Sequence, residues 1–574
     1  MFLRDAQPNS FLAACPGAGK TYQVVGRYLA RATSEKRKGI ALVSFSNSAI
    51  DEARERCGAA VEALRSPHYV GTFDAFIHRF LVTPYLAARG TQPSYIEDWG
   101  ELDNTEVRLP GSPRIAFRLE WFDFEADGVC TLDIERPHAG LWKAHRRLAD
   151  REAMRLCSIA TRRWKGLVGA GLLSCSAARV IARSLLSDHT RRHVLRERLG
   201  GRFAEIIVDE MQDCGPDELE ILSLCHDSGV DLVLVADMDQ SIYEFRNAVP
   251  QKVLGFASSL RRLPDLMTNR RSSPAICSIN SSLRAGRIEE SPLDPSEGHP
   301  VVLLIGGKSD EIRERFIGLL DDYDIDHGES IVIAHRRKDA MEIAGQPLND
   351  SRTSDRVAKI AIATAILSNP LSTPKDKRRA RYTIEMLVLH FIGLHGSQSV
   401  EALLLDGDID QRWFKRLIAQ LVATLSNQLK TGRTQFTTSL KSSLTRVEWP
   451  AGNSLSPGAI RTPRAESWST VATMVTGNSE GTLPAGTVHS VKGQEFRAVL
   501  LRIPQNLPTN HEGSTVLDHW ECDRPTEDRR VLYVGASRPS DLLVLSVPHS
   551  HGDQTARILE ATCVPFVPSS ISIA

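Results

Sequence analysis

The sequence predicts an α/β fold in which two parallel sheets are each interrupted by a long, mainly helical insertion. Three observations predict it. Short continuous apolar runs recur along the chain, separated by helix-compatible stretches, which is the pattern of strands buried on both faces. The first run, Phe11–Ala14, breaks into Pro16-Gly17-Ala18-Gly19, and a helix-compatible stretch starts at Lys20. Strand, glycine turn and helix open a βαβ unit. Finally, two long segments, 81–199 and 345–470, break this rhythm with helical patterns of their own.

Taken in order, the remaining buried-strand candidates are Ile40–Phe45, Ile206–Asp209, Leu232–Ala236, Val301–Ile305, Ile331–Ala334, Val499–Ile503 and Leu542–Val547. The first long segment also predicts a hairpin. There Ile115, Phe117 and Leu119 alternate, and Asp127-Gly128 supplies the turn. The second becomes rich in Ser, Thr and Pro near Thr437–Thr470. The expected organisation is therefore residues 1–80 and 200–268 as a first sheet-bearing lobe, with 81–199 inserted. Residues 269–344 and 471–574 form a second lobe, with 345–470 inserted.

Composition narrows the class. The 574 residues hold 70 Lys+Arg against 70 Asp+Glu, a formal net charge of 0, with 42% hydrophobic residues. Such a chain packs a core rather than staying disordered. Zero net charge also argues against bulk electrostatic binding to nucleic acid, so such contacts must come from local patches. The ten cysteines are scattered without a CxxC pair, which gives structural zinc and iron–sulfur sites little support and fits a reducing, cytoplasmic compartment. Leu12-Ala13-Ala14-Cys15 resembles a lipoprotein cleavage box. The apolar run before it is too short for a secretory signal, and Asp5, Asn9 and Ser10 precede it. No apolar stretch is long enough to span a membrane.

Ala14-Cys15-Pro16-Gly17-Ala18-Gly19-Lys20-Thr21 fits a phosphate-binding loop with Ala in place of the first Gly. Small residues let backbone N–H groups converge on phosphate oxygens, and the following helix N-terminus adds a favourable dipole. Lys20 can reach the outer phosphates, and the Thr21 hydroxyl can hold Mg²⁺. The apolar run Ile206-Ile207-Val208 ends in Asp209-Glu210. Asp209 would complete the magnesium shell, and Glu210 would orient and deprotonate an attacking water.

Eight segments then match one family in order: ACPGAGKT at 14–21, VSFSNSAIDEARER at 43–56, GTFDAFIHRFL at 71–81, VDEMQD at 208–213, ADMDQSIYEFRNA at 236–248, NRRSS at 269–273, TVHSVKGQEF at 487–496 and DRRVLYVGASR at 528–538. The chain thereby resembles the UvrD/Rep/PcrA family of superfamily 1 DNA helicases. The resemblance implies two RecA-like parallel-sheet motor lobes, each interrupted by a mainly helical accessory insertion. It implies ATP and Mg²⁺ as cofactors, and single-stranded DNA with single-strand/duplex junctions as partners. Gln240 would sense the γ-phosphate, and Arg271 and Arg538 would act as arginine fingers. Glu495, beside Gly493, would contact the ribose. Phe45, Ser46, Asn47, Thr72, Tyr243, Phe245, Arg246 and His489 match positions on the family's DNA track. Asp74 stands where the family often has His, and no role carries over to it. Movement 3′ to 5′ is implied by the resemblance alone.

Two departures stand out. The family usually sandwiches adenine between an Arg after the loop Thr and a Tyr before the second-lobe finger. This chain has Tyr22 and Arg270 at those places. The exchanged pair still offers a ring on one side and a planar cation on the other. Gln7 lies too close to the loop to match the family's upstream adenine-reading motif, which leaves selectivity for ATP over GTP open.

The second insertion is basic: 346–470 carries 17 Lys+Arg and 10 Asp+Glu, with Lys375, Lys377, Arg378, Arg379 and Arg381 clustered. A solvated face and a duplex-contacting face both fit such a run. Only 36 residues follow Arg538, which predicts no fused nuclease domain. In size and layout the chain is similar to the helicase subunits of Gabija-type anti-phage systems, which pair with a separate OLD-family nuclease. Two readings of function follow: an ATP-dependent DNA helicase, and a DNA-stimulated ATPase that gates a partner nuclease.

Overall fold

The structure is a computed structural model. It describes all residues except 1–2, 36, 46, 59, 97, 100–106, 109–115, 126–128, 133–149, 243–248, 296–297, 347–354, 370–371, 373, 395–399, 451, 466, 469–470, 472–481, 508–512 and 572–574. The chain forms two compact units, one made of Met1–Pro93, Ser176–Ile343 and Ala485–Ala574, the other of Ser94–Cys175 and Ala344–Pro484.

The first unit holds both large sheets. The first contains β1 (Ser10–Ala13), β2 (Gly39–Ser44), β3 (Tyr69–Thr72), β4 (Phe203–Val208), β5 (Asp231–Ala236) and β6 (Arg261–Arg262). Their order is β6-β1-β5-β4-β2-β3, and every pairing is parallel. The second contains β7 (Val301–Ile305), β8 (Ser330–Ala334), β9 (Ala485–Thr487), β10 (Phe496–Arg502), β11 (Pro539–Val547) and β12 (Phe566–Ser570), in the order β9-β8-β10-β11-β7-β12, again all parallel. The fold is thus α/β, with two all-parallel six-stranded sheets. Parallel strands need crossovers, and the helices that supply them cover both faces of each sheet.

The apolar runs became strands because neither face meets water. Leu12, Ile40, Leu42, Ile207, Val233 and Val235 are buried in one core with Val24, Val25 and Tyr28 from the helix Lys20–Ser34. Leu303, Ile333, Val499, Leu501, Leu543 and Leu545 share a second core with Ile276, Ile279 and Tyr533. Four strands have no long apolar run: β3, β6, β9 and β12. All four lie at a sheet edge. An edge strand buries less side chain and tolerates polar residues and proline, as β12 does at Pro568.

In the second unit, Phe122–Phe124 pairs antiparallel with Cys130–Leu132, and the predicted turn at Asp127-Gly128 lies outside the described residues. Phe117 pairs with Val107, but Leu119 leaves the expected strand for a 3-10 turn, Leu119–Trp121, and Ile115 lies outside the described residues. The alternating run therefore does not continue as one strand: buried Leu119 faces the core from a helical turn. The rest of the unit is mainly helical. Arg356–Ser368, Pro374–Phe391, Gln411–Ser426 and Arg433–Thr445 share one core. No helix among the described residues is long and apolar enough to cross a membrane.

Candidate nucleotide site and nucleic-acid track

In an all-parallel sheet every C-terminal strand end lies on one edge, and loops there converge. β5 lies between β1 and β4 in the first sheet. The loop after β1 therefore stands beside Asp237–Gln240, which follow β5, and near Asp209 and Glu210, which follow β4. That adjacency brings together residues far apart in the chain.

The loop is anchored on both sides. Ala14 N donates to Ala236 O at 3.0 Å, and Cys15 N donates to Leu266 O at 2.9 Å. Gly17 has φ 67°. A Cβ there would lie 2.1 Å from Asn269 Oδ1, so glycine is required by both conformation and space. Pro16 and Ala18 complete the small-residue turn, and Gly19 precedes the helix that begins with Lys20 and Thr21. Lys20 is buried, and its Nζ donates to Cys15 O at 3.2 Å.

Asp209 and Glu210 are adjacent, yet their environments split them. Burial and the neighbouring Glu210 charge push the Asp209 carboxyl up to about 7. Burial would raise Glu210 too, but Lys20, Lys492, a hydrogen bond from Gln212 and Arg538 together hold it below the usual carboxylate range. Glu210 is thus kept ionised, the state a base needs. Its backbone sits in the left-handed region, φ 59°. Lys20 offsets the burial of Asp209 only in part. Asp209 and the Thr21 hydroxyl would offer the sparse hard-oxygen set that suits Mg²⁺, an ion that keeps waters and phosphate oxygens as its other ligands. Among the described residues no cluster of three or more His, Cys, Asp or Glu forms a protein-only metal cage.

The second lobe supplies cations to the same place. Arg270 N donates to Gly17 O at 3.0 Å. Asn269 Oδ1 accepts from Arg271 N at 2.9 Å and Ser272 N at 3.0 Å, which sets the backbone carrying Arg271. Arg271 Nη2 donates to Ser537 O at 2.6 Å, and Nη1 pairs with Glu495. Its Nε is buried without an acceptor among the described residues. Arg538 Nη2 donates to Gln240 Oε1 at 3.3 Å. Burial, followed by the nearby Arg271 charge, lowers Arg538 to about 10. An anion placed between these two guanidinium groups would relieve their mutual repulsion.

Lys492, to which sequence reasoning assigned no role, belongs to this group. Its Nζ donates to Asp213 Oδ1 and Oδ2 at 2.7 and 2.6 Å and to Gln240 O at 2.8 Å, tying the second lobe to the first. The signal was a lysine inside the matched segment TVHSVKGQEF. Glu495 is 63% exposed and holds Arg271, and Gly493 is exposed nearby.

Beside the loop lies a pocket of about 400 Å³ lined by Gly19, Tyr22, Gln23, Thr268 and Arg270 among others. Tyr22 and Arg270 therefore share its wall, and Tyr22 is 61% exposed. Gln7 does not line it; its Oε1 accepts from Arg261 Nη1 at 2.6 Å instead. Gln23, another residue not singled out beforehand, brings an amide whose Oε1 accepts from Leu3 N at 3.1 Å.

The track residues divide. Phe45 follows β2 and Thr72 ends β3, neighbours in the sheet. Phe45 is half-buried, with one face stacked on Phe73 at a centroid distance of 5.5 Å. Asn47 is exposed at the start of the helix Asn47–Cys57. Thr72 Oγ1 accepts from Ala75 N, capping the next helix. His489 lies on the second lobe, 6.2 Å ring to ring from His335. Ser46, Tyr243, Phe245 and Arg246 lie outside the described residues. Asp74 is held by Arg179, whose other partner is buried Glu218. Its carboxylate thus serves an ion-pair cluster.

The UvrD/REP helicase N-terminal domain family model matches residues 3–113 and 162–261. DNA helicase II of Salmonella typhimurium is 25% identical over 327 residues, covering 53% of this chain and 43% of that protein. The Escherichia coli DNA helicase II matches at 25% over 328 residues, with the same coverage. ATP-dependent DNA helicase SRS2 of Saccharomyces cerevisiae is 24% identical over 316 residues, covering 49% of this chain and 26% of that protein. The chain thus spans less than half the length of these relatives. Among solved structures, the arterivirus nonstructural protein 10 helicase covers 96% of this chain and 61% of that chain with a TM-score of 0.29 and 10% identity, a likeness too slight to carry weight. Residues 3–113 and 162–261 thus match the UvrD/REP helicase N-terminal domain, and the chain is similar to these UvrD-like helicases.

Proposed function

We propose that the chain is an ATP- and Mg²⁺-dependent motor that moves 3′ to 5′ on single-stranded DNA and separates strands at duplex junctions. The observation that carries this reading is the convergence on one site of Lys20, Glu210 and Gln240 from the first sheet's edge with Arg271, Lys492 and Arg538 from the second lobe. The loop backbone and Lys20 bind the triphosphate. Thr21 and Asp209 would hold the metal, which when bound would supply positive charge beside the phosphate oxygens. Glu210, kept ionised, aligns a water and takes its proton. Gln240 senses the outer phosphate, and the arginines balance the transition-state charge, a contribution worth about 10³–10⁵ in rate for fingers of this kind. Because those arginines sit on the second lobe, hydrolysis depends on how the lobes meet, and that dependence turns chemistry into movement along a strand.

The test uses a forked duplex with either a 3′ or a 5′ single-stranded arm, alongside ATP hydrolysis with and without single-stranded DNA. The expected result is DNA-stimulated hydrolysis and unwinding from the 3′ arm. Glu210→Gln should retain ATP and DNA binding and lose turnover; normal turnover in that variant would overturn the catalytic assignment. Stimulated hydrolysis without strand separation would instead favour an ATPase that gates a separate nuclease.

A further inference from the structure

A buried polar cluster adjoins the candidate nucleotide site. At its centre is Tyr533, fully buried on the helix Glu527–Ala536. Its hydroxyl oxygen lies 3.0 Å from Asp237 Oδ2, 2.8 Å from Glu290 Oε1 and 2.9 Å from Arg284 Nη1. Arg284 donates to it, and a phenol has a single proton to give. The hydroxyl therefore donates to Asp237 or to Glu290, and the second contact needs a proton on one of those carboxyls. Asp237, Asp239 and Glu290 surround Arg284, so the cluster carries more acid than base, and a shared proton relieves that excess.

The two carboxyls open onto two different arms of the site. Asp237 Oδ2 accepts from Gln240 Nε2 at 3.0 Å. Asp237 N donates to Gln212 Oε1 at 3.1 Å, and Gln212 Nε2 donates to Glu210. That arm ends at Glu210, the residue proposed to activate water. Glu290 Oε2 accepts from Asn280 Nδ2 at 3.2 Å and, at the long limit of a hydrogen bond, from Asn269 Nδ2 at 3.5 Å. Asn269 in turn fixes the backbone of Arg271. Asp237, Gln240, Asn269, Asn280, Arg284, Glu290 and Tyr533 are all buried, so a broken link is not made good by bulk solvent.

We infer that Tyr533 is a positioning residue that couples the water-activating arm, through Asp237, to the arginine arm, through Glu290, so that Arg271 is seated only when Gln240 and Glu210 are aligned. The inference rests on the hydrolytic reading of the site. It concerns how the two halves of that site are held in step, which no matched motif specifies.

The test is Tyr533→Phe, which deletes one hydroxyl and keeps the ring. DNA-stimulated kcat is expected to fall about tenfold or more, with KM for ATP within about twofold of wild type, because the phosphate loop and base pocket are untouched. In a cycle with Arg271→Ala the two effects should not multiply: the double variant should be within about twofold of Arg271→Ala alone. Effects that multiply, or a Tyr533→Phe enzyme with wild-type kcat, overturn the coupling. Should Tyr533→Phe not fold, Glu290→Gln and Glu290→Ala carry the test. The glutamine variant keeps an acceptor oxygen for Tyr533. Its amide nitrogen can donate to Asn280 once that amide turns its Oδ1, unpartnered among the described residues, toward it. The glutamine variant is therefore expected within about threefold of wild type, whereas the alanine variant shows the kcat loss. Equal, wild-type activity of both overturns the inference. A wild-type chain that hydrolyses no ATP defeats the hydrolytic reading itself, which separates the two failures.

Discussion

Tyr22 and Arg270 show what a single exchange of residue types can preserve. Stacking of a purine needs a flat partner on each face, and a guanidinium or a phenol ring serves either side. Both residues line the pocket beside Gly19, one from the loop helix and one from the second lobe. Removing them together as Tyr22→Ala, Arg270→Ala should weaken ATP binding by about 1–2 kcal/mol, or about five- to thirty-fold in Kd, with a smaller effect on kcat. Titration with a fluorescent ATP analogue checks this, and an unchanged Kd removes both residues from base binding. The candidate phosphate-binding residues were readable because the chemistry proposed for them demands particular types at fixed spacing. Tyr533 and Gln23 were not, because their roles arise from what folding brings beside them: a Tyr inside LYVGASR has no chemistry until Asp237 and Glu290 flank it.

Among the elements, strands were legible where both faces are buried. β1, β2, β4, β5, β7, β8, β10 and β11 each carry a continuous apolar run, because each packs helices on two sides. β9 reads Ala-Gly-Thr and became a strand only by pairing with β8, an interaction no local pattern encodes. One charged residue inside a strand makes a further point. Glu205 in β4 is fully buried, and both its oxygens accept from Arg27 at 2.8 Å, while Arg31 approaches to 3.2 Å. Arg27 also donates to Leu3 O and Ala6 O, so the pair fastens the segment before β1 to the first sheet. Glu205→Ala strands a buried guanidinium and should cost about 3–5 kcal/mol. The double change Arg27→Met, Glu205→Leu should recover most of that loss. Calorimetric unfolding of the three proteins decides it, and a single variant melting with wild type would show the pair to be dispensable.

At the scale of the whole molecule, zero net charge places the burden of strand binding on local patches. The helix Pro374–Phe391 in the second unit carries the densest basic run, and Arg378, Arg379 and Arg381 are exposed on it. If this helix meets duplex phosphates during unwinding, each phosphate it neutralises releases a counterion, and the slope of log K against log salt becomes shallower by about 0.9 for each contact removed. Arg378→Gln, Arg379→Gln, Arg381→Gln should therefore flatten the salt dependence of forked-duplex binding by about 2–3 units. The same variant should leave the slope for a short single strand unchanged, because the single-strand track is assigned to residues such as Phe45, Thr72 and His489 in the other unit. It should also leave basal ATP hydrolysis intact, since no residue of the nucleotide site belongs to this unit. Fluorescence anisotropy at a series of salt concentrations separates the cases: identical slopes on both substrates would make the basic run a solvated face and move duplex engagement elsewhere on the chain.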